Sequence, residues 1–96
     1  MTNHDFYNAL KAEKERLMNA SKQAFRDCQI KRGEMLRAWH EVDTLEQANK
    51  FGTQELSDAY DACKKASHAS MLANNHFDDI DEAIDKINEL MSLYAD

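Results

Sequence analysis

The sequence predicts an all-α protein, a long antiparallel helical hairpin of coiled-coil character, and three observations carry that prediction. The C-terminal half repeats small or apolar residues in an unbroken three-then-four spacing: Leu56, Ala59, Cys63, Ala66, Ser70, Ala73, Phe77, Ile80, Ile84, Ile87, Met91 and Tyr94. A 3.5-residue period keeps one helical stripe facing a partner helix over its whole length. The chain of 96 residues has no proline and two glycines, too little punctuation for an all-β fold. Finally, the N-terminal half carries a second heptad that fits the first one layer by layer.

Arm one, about residues 4–47, places Tyr7, Leu10, Lys14, Leu17, Ser21, Ala24, Cys28, Lys31, Met35, Ala38, Val42 and Leu45 on its seam. Lys14, Ser21 and Lys31 make this stripe less apolar than its mate. Lysine stems can lie along a thin seam with their ammonium groups in water, and a buried polar layer can fix register. Gly33 is expected to allow close packing or a kink, at a cost of about 1 kcal/mol relative to alanine.

A turn over about 48–53 follows, in which Gly52 is expected to end the first helix and Thr53 to cap the second. Arm two, about 54–95, then runs back along arm one. The seam positions meet in pairs whose residue numbers always sum to 101: Leu45 with Leu56, Val42 with Ala59, Ala24 with Phe77, Ser21 with Ile80, Leu17 with Ile84 and Leu10 with Met91. Two unrelated heptads need not share a register across a turn, so the agreement favours an intramolecular hairpin. About 40 residues per arm at ~1.5 Å each predicts a rod of roughly 60 Å. A competing reading breaks arm two near 74–77, with Asn75 capping a third helix whose first turn holds Asp78, Asp79 and Asp81. The length accommodates a single helical domain over 1–96, and a chain this short is expected to gain buried surface by packing as a helical bundle in an oligomer.

Composition narrows the class further. An apolar content of 43% with 31% charged residues is that of a folding chain rather than a disordered one. No run approaches the ~20 apolar residues of a bilayer span, so no membrane association is expected. Polar Thr2, Asn3, His4 and Asp5 stand where a secretion signal would have basic and then apolar residues. Cys28 and Cys63 lie on apolar helical faces, ten residues apart in hairpin level, and read as buried free thiols. The expected location is the cytoplasm, or the host cytoplasm for a phage-encoded protein.

The flanks of the seam carry the functional expectation. One flank gathers Lys11, Met18, Phe25, Arg32, Trp39 and Glu46 from arm one with Tyr60, Ser67, Asn74, Asp81 and Asn88 from arm two. A two-helix seam has no room for Met18, Phe25 and Trp39, nor for Leu36 beside them. They either widen the core or form a docking stripe, and Trp, Tyr and Arg are the residues that dominate binding hot spots. Met18, Phe25, Arg32, Leu36, Trp39 and Tyr60 are therefore the candidate partner-binding residues, for a protein partner or for a second copy in a four-helix bundle. The opposite flank is small, with Ala20, Ala62, Ala69 and Ala83, and places Asp27 near His76 and Leu90 at its end.

Charge is divided unevenly: residues 1–50 carry a net +1 and residues 51–96 a net −7, for −6 in all. Asp78, Asp79, Glu82, Asp85 and Glu89 run along an outer stripe of arm two. This acidic face is either a solvated surface or a mimic of nucleic-acid charge, as in a small inhibitor of phage or mobile-element type that blocks a nucleic-acid-processing protein. The basic residues of arm one are interleaved with acids around the helix, so direct nucleic-acid binding is not expected. A small anionic ligand held between protomers by Arg or Lys beside Tyr or Trp is a third reading.

Nothing in the sequence points to catalysis. Both glycines are isolated, so no phosphate-binding loop exists, and neither Cys-x-x-Cys nor His-Glu-x-x-His spacing occurs. His68 and His76 share a rough face without a convincing third ligand. No metal, cofactor or catalytic residue is expected. The length and central turn resemble the small secreted hairpins of the WXG type. The turn here holds Phe51-Gly52 and lacks Trp-Xxx-Gly, so no property of that family is carried over.

Overall fold

The computed structural model describes residues 2–95 and contains two helices, α1 (Asn3–Gln47) and α2 (Gln54–Tyr94), with no strand among the described residues. They pack side by side as an extended antiparallel hairpin measuring 69 × 15 × 14 Å. The rod is slightly longer than the sequence estimate because α1 begins at Asn3 and the turn adds to its length.

Every seam residue of both helices is buried or half-buried. The stripe that meets the other helix is therefore the one with the 3.5-residue period, and residues whose numbers sum to 101 fall in the same buried cluster. The core has two parts. Near the open end, Leu17, Ala24, Ile80 and Ile87 are buried together, with Leu10, Phe77, Ile84 and Met91 packed against them. At the turn, Val42, Leu56, Ala59 and Cys63 form a second cluster, with Ala38 and Leu45 around it. Between them lies the polar layer of Lys31 and Ser70. Ser70 is buried at 7% exposure, whereas the Lys31 ammonium reaches outward to Glu34 at 3.5 Å, as a snorkelling lysine does.

The helix ends show which local chemistry wins. At the N-terminus of α1, Thr2 and Asp5 form a capping box: the Asp5 N–H donates to Thr2 Oγ1 at 3.1 Å and the Thr2 N–H donates to Asp5 Oδ2 at 3.2 Å. The polar run at residues 2–5 is thus a helix start, and its Thr-x-x-Asp pattern is a sequence signal for one.

The expectation that Gly52 ends the first helix is corrected. Asn49 takes the left-handed conformation at φ 57°, and the Asn49 and Lys50 N–H groups donate back to the carbonyls of Glu46 and Leu45, both at 3.0 Å. That pair of bonds is a Schellman closure with asparagine in the place usually held by glycine. Gly52, at φ 77°, instead turns the chain into α2. Thr53 caps that helix as expected, accepting from the Leu56 N–H at 3.3 Å.

The competing break in arm two does not occur, since α2 is continuous through 74–77. Asn74, Asn75 and His76 all face outward, while Ala73 and Phe77 carry the seam across them. Interior asparagine costs a helix only a few tenths of a kcal/mol, and the uninterrupted seam on either side outweighs it. Asp78 and Asp79 accordingly sit in mid-helix rather than at a helix start.

Candidate functional site

Because the seam consumes only one stripe of each helix, the side chains on the neighbouring stripes lie largely outside it. Met18, Phe25, Leu36, Trp39 and Tyr60 are all exposed, from 39% for Tyr60 to 55% for Leu36. They do not widen the core. Together they form an apolar band along one long side of the rod, with Arg32, also exposed, in its middle. Arg32 has no ion-pair partner among the described residues. Met71, half-exposed, extends the band onto α2, one turn from Asn74 on the same flank. Sequence reasoning passed over it, although its place in the heptad of α2 is the one Leu36 holds in α1.

Two contacts tie the band to the hairpin. The Phe25 ring rests against the seam residue Phe77 at 5.9 Å between centroids, tilted by 52°, the offset geometry aromatic pairs prefer. At the turn end, the Tyr60 hydroxyl donates to Glu46 Oε1 across the two helices. That hydrogen bond is the main reason the Tyr60 phenol is held above the ordinary tyrosine range, because ionisation would bring a phenolate against a carboxylate. Between these anchors, Phe25, Cys28, Gln29, Arg32, Asn74 and Phe77 line an open groove of ≈ 340 Å³. Its walls combine two aromatic rings, a guanidinium and two amides.

The opposite flank differs in kind. Ala20, Ala69 and Ala83 are half-buried there, with the large exposed residues Ile30 and Leu72 beside them and Phe6 and Leu90 exposed toward the open end. The Asp27–His76 pair expected on this side does not form; Asp27 accepts from Gln23 Nε2 at 3.3 Å within its own helix.

On the outer face of α2, Asp78, Asp79, Glu82, Asp85 and Glu89 are all exposed. None of the five is in an ion pair among the described residues. Asp78, Glu82, Asp85 and Glu89 follow one another at helical spacings of four, three and four, so they stand in one row.

Among the described residues, no group of three His, Cys, Asp or Glu side chains is arranged to hold a metal ion, and no helix is long and apolar enough to cross a membrane. Cys28 and Cys63 are both free thiols; burial pushes the Cys63 thiol above its usual range. Comparison with protein-family models, curated proteins and solved structures finds no match to this chain.

Proposed function

We propose that this chain is a non-enzymatic helical interaction protein that self-associates and engages a macromolecular partner through the aromatic side of the rod. One observation carries the reading: Met18, Phe25, Leu36, Trp39 and Tyr60 leave an apolar band, with Arg32 in its middle, uncovered on a chain that has a complete seam without them. Exposed apolar patches of this kind, rimmed by charge, mark association surfaces. Tryptophan and arginine within such a patch supply large contact area and planar hydrogen bonding. The rod offers open grooves rather than an enclosed cavity, a shape suited to side-by-side docking and poor at excluding water from a reaction.

The test is paired substitution. Trp39→Ala with Phe25→Ala should reduce self-association or partner binding at least ~10-fold while far-UV circular dichroism keeps its helical signal. Unchanged mass by light scattering together with unchanged partner binding would remove the basis of the reading.

A second reading is favoured by the unpaired acidic row on α2: an inhibitor that presents Asp78, Asp79, Glu82, Asp85 and Glu89 to the basic groove of a nucleic-acid-processing protein. It ranks second because carboxylates at helical spacing fall every ~5 Å, whereas each strand of duplex DNA places a charge every ~3.4 Å. Replacing the five acids by Asn or Gln should abolish inhibition of such a protein. Full inhibition by the neutralised variant would exclude this use of the row.

A further inference from the structure

Resting on the interaction reading above, we infer that the occupant of the aromatic band is a second copy of this chain, docked α1 against α1 with the two rods pointing in opposite directions about a two-fold axis. Three observations lead there.

The first concerns which helix supplies apolar surface. On this side of the rod, α1 presents Met18, Phe25, Leu36 and Trp39, all exposed, while the matching stripe of α2 is mostly polar, with Ser67, Asn74, Asp81 and Asn88. A copy that laid its α2 over α1 would set Phe25 and Met18 against amides and carboxylates. Placing α1 on α1 joins apolar to apolar.

The second is charge. Along α1 this stripe begins with Lys11 and ends with Glu46. Parallel α1 helices would bring Lys11 to Lys11, Arg32 to Arg32 and Glu46 to Glu46. Reversing one copy about a centre between Cys28 and Gln29 pairs Lys11 with the second copy's Glu46, Met18 with its Trp39, and Phe25 with its Arg32. These are an ion pair, a sulfur–aromatic contact and a cation–π contact. The same two-fold brings Lys64 of α2 level with the second copy's Asp81. One like-charged approach results, Glu15 to the second copy's Asp43, and Lys11 one turn away offsets it.

The third is size. From Lys11 to Glu46 the stripe spans about 50 Å at ~1.5 Å per residue, and one helix with its side chains is about 10 Å across. A contact of α1 on α1 over that length covers roughly 500 Å² per copy, or about 1,000 Å² in all, the lower bound for a specific interface. The groove lined by Phe25, Cys28, Gln29 and Arg32 lies at the centre of this contact, so the two copies would meet groove to groove.

The test combines mass with geometry. Light scattering of the full chain should give a dimer. In a Cys28→Ala, Cys63→Ala background of verified helicity, Gln29→Cys should form a disulfide-linked dimer under mild oxidation. Gln23→Cys should not, being well displaced from the axis. Independently of any cysteine, Lys11→Glu and Glu46→Lys should each weaken the dimer about 3- to 10-fold, and the double reversal should restore it. A dimer that neither cross-links at position 29 nor recovers in the double reversal overturns this geometry but leaves the interaction face standing. A chain that stays monomeric up to 100-fold above the working concentration overturns the second copy as occupant. The face itself then fails only if Trp39→Ala also leaves partner binding unchanged.

Discussion

The polar layer between the two cores makes an unusual prediction, because removing it should strengthen the hairpin. Ser70 is 7% exposed and lies in the seam as the polar member of an otherwise small and apolar stripe, and no buried side-chain polar atom lacks a partner among the described residues. The gain at this position is therefore one of helix propensity: alanine is the better helix former, and Ser70→Ala should stabilise by about 0.5 kcal/mol. Its layer partner Lys31 has a side chain 42% exposed and pairs with Glu34 at the surface, an exposed bridge that contributes little. Lys31→Leu would bury about half of a leucine side chain, worth roughly 1 kcal/mol. The double variant should gain about 1.5 kcal/mol. With a urea slope of about 1.5 kcal/mol per molar for a domain of this size, its midpoint should rise by about 1 M in far-UV circular dichroism. A dilution series should accompany the titration, since a new apolar layer can also alter association. A midpoint that falls, at unchanged slope, would refute the reasoning and assign the layer a stabilising role.

Three other outcomes follow from named contacts. Ile80→Ala, in the open-end core, should cost about 2–4 kcal/mol in thermal or urea unfolding, whereas Leu93→Ala, at a residue 76% exposed, should stay within about 0.5 kcal/mol. Asn49→Ala should destabilise by about 1 kcal/mol, because its left-handed backbone suits asparagine and glycine better than alanine, and Asn49→Gly should be neutral or stabilising; equal effects of the two would exclude the Schellman closure. For Tyr60, whose folded-state phenol is raised mainly by its bond to Glu46, the associated stability is fully present below the unfolded tyrosine value and is lost as pH rises through the folded one. Absorbance titration near 295 nm should show the step that disappears in Tyr60→Phe moving downward in Glu46→Gln; an unmoved step would mean the bond is absent in solution.

Much of this architecture is legible because the seam repeats many times. Each pair from Leu45–Leu56 to Leu10–Met91 tests the same register again, and residues that break the apolar pattern, such as Lys31, are absorbed by their neighbours. The turn is less legible. Either Asn49 or Gly52 can adopt a left-handed backbone, and only the bonds back to Glu46 and Leu45 identify the asparagine as the one that closes α1. The break proposed at Asn75 misled for a related reason: asparagine followed by aspartates is a helix start when it faces a chain end, and an ordinary solvated face when the seam continues beneath it. The apolar band was visible as residues the seam could not hold. Met71 is harder to read because its neighbours in the chain, Leu72 and Ala73, belong to other stripes of the helix, and it gains meaning only beside its spatial neighbours on the flank.

The division of the core between the two ends of the rod also sets an order of assembly. Joining Leu45 to Leu56 closes a loop of 11 residues, whereas joining Leu10 to Met91 closes one of 81, an entropic difference of roughly 2 kcal/mol. The cluster of Val42, Ala59 and Cys63 should therefore form first, at the turn, with the helices zipping toward the termini across the polar layer. Unfolding should retrace that path, the open end, where Phe6 stacks on Tyr94 at 5.2 Å, fraying while the turn is still closed. Amides of Leu17 and Ile87 should exchange with solvent before those of Val42 and Cys63, and a cargo fused at either terminus would ride on the least persistent part of the rod.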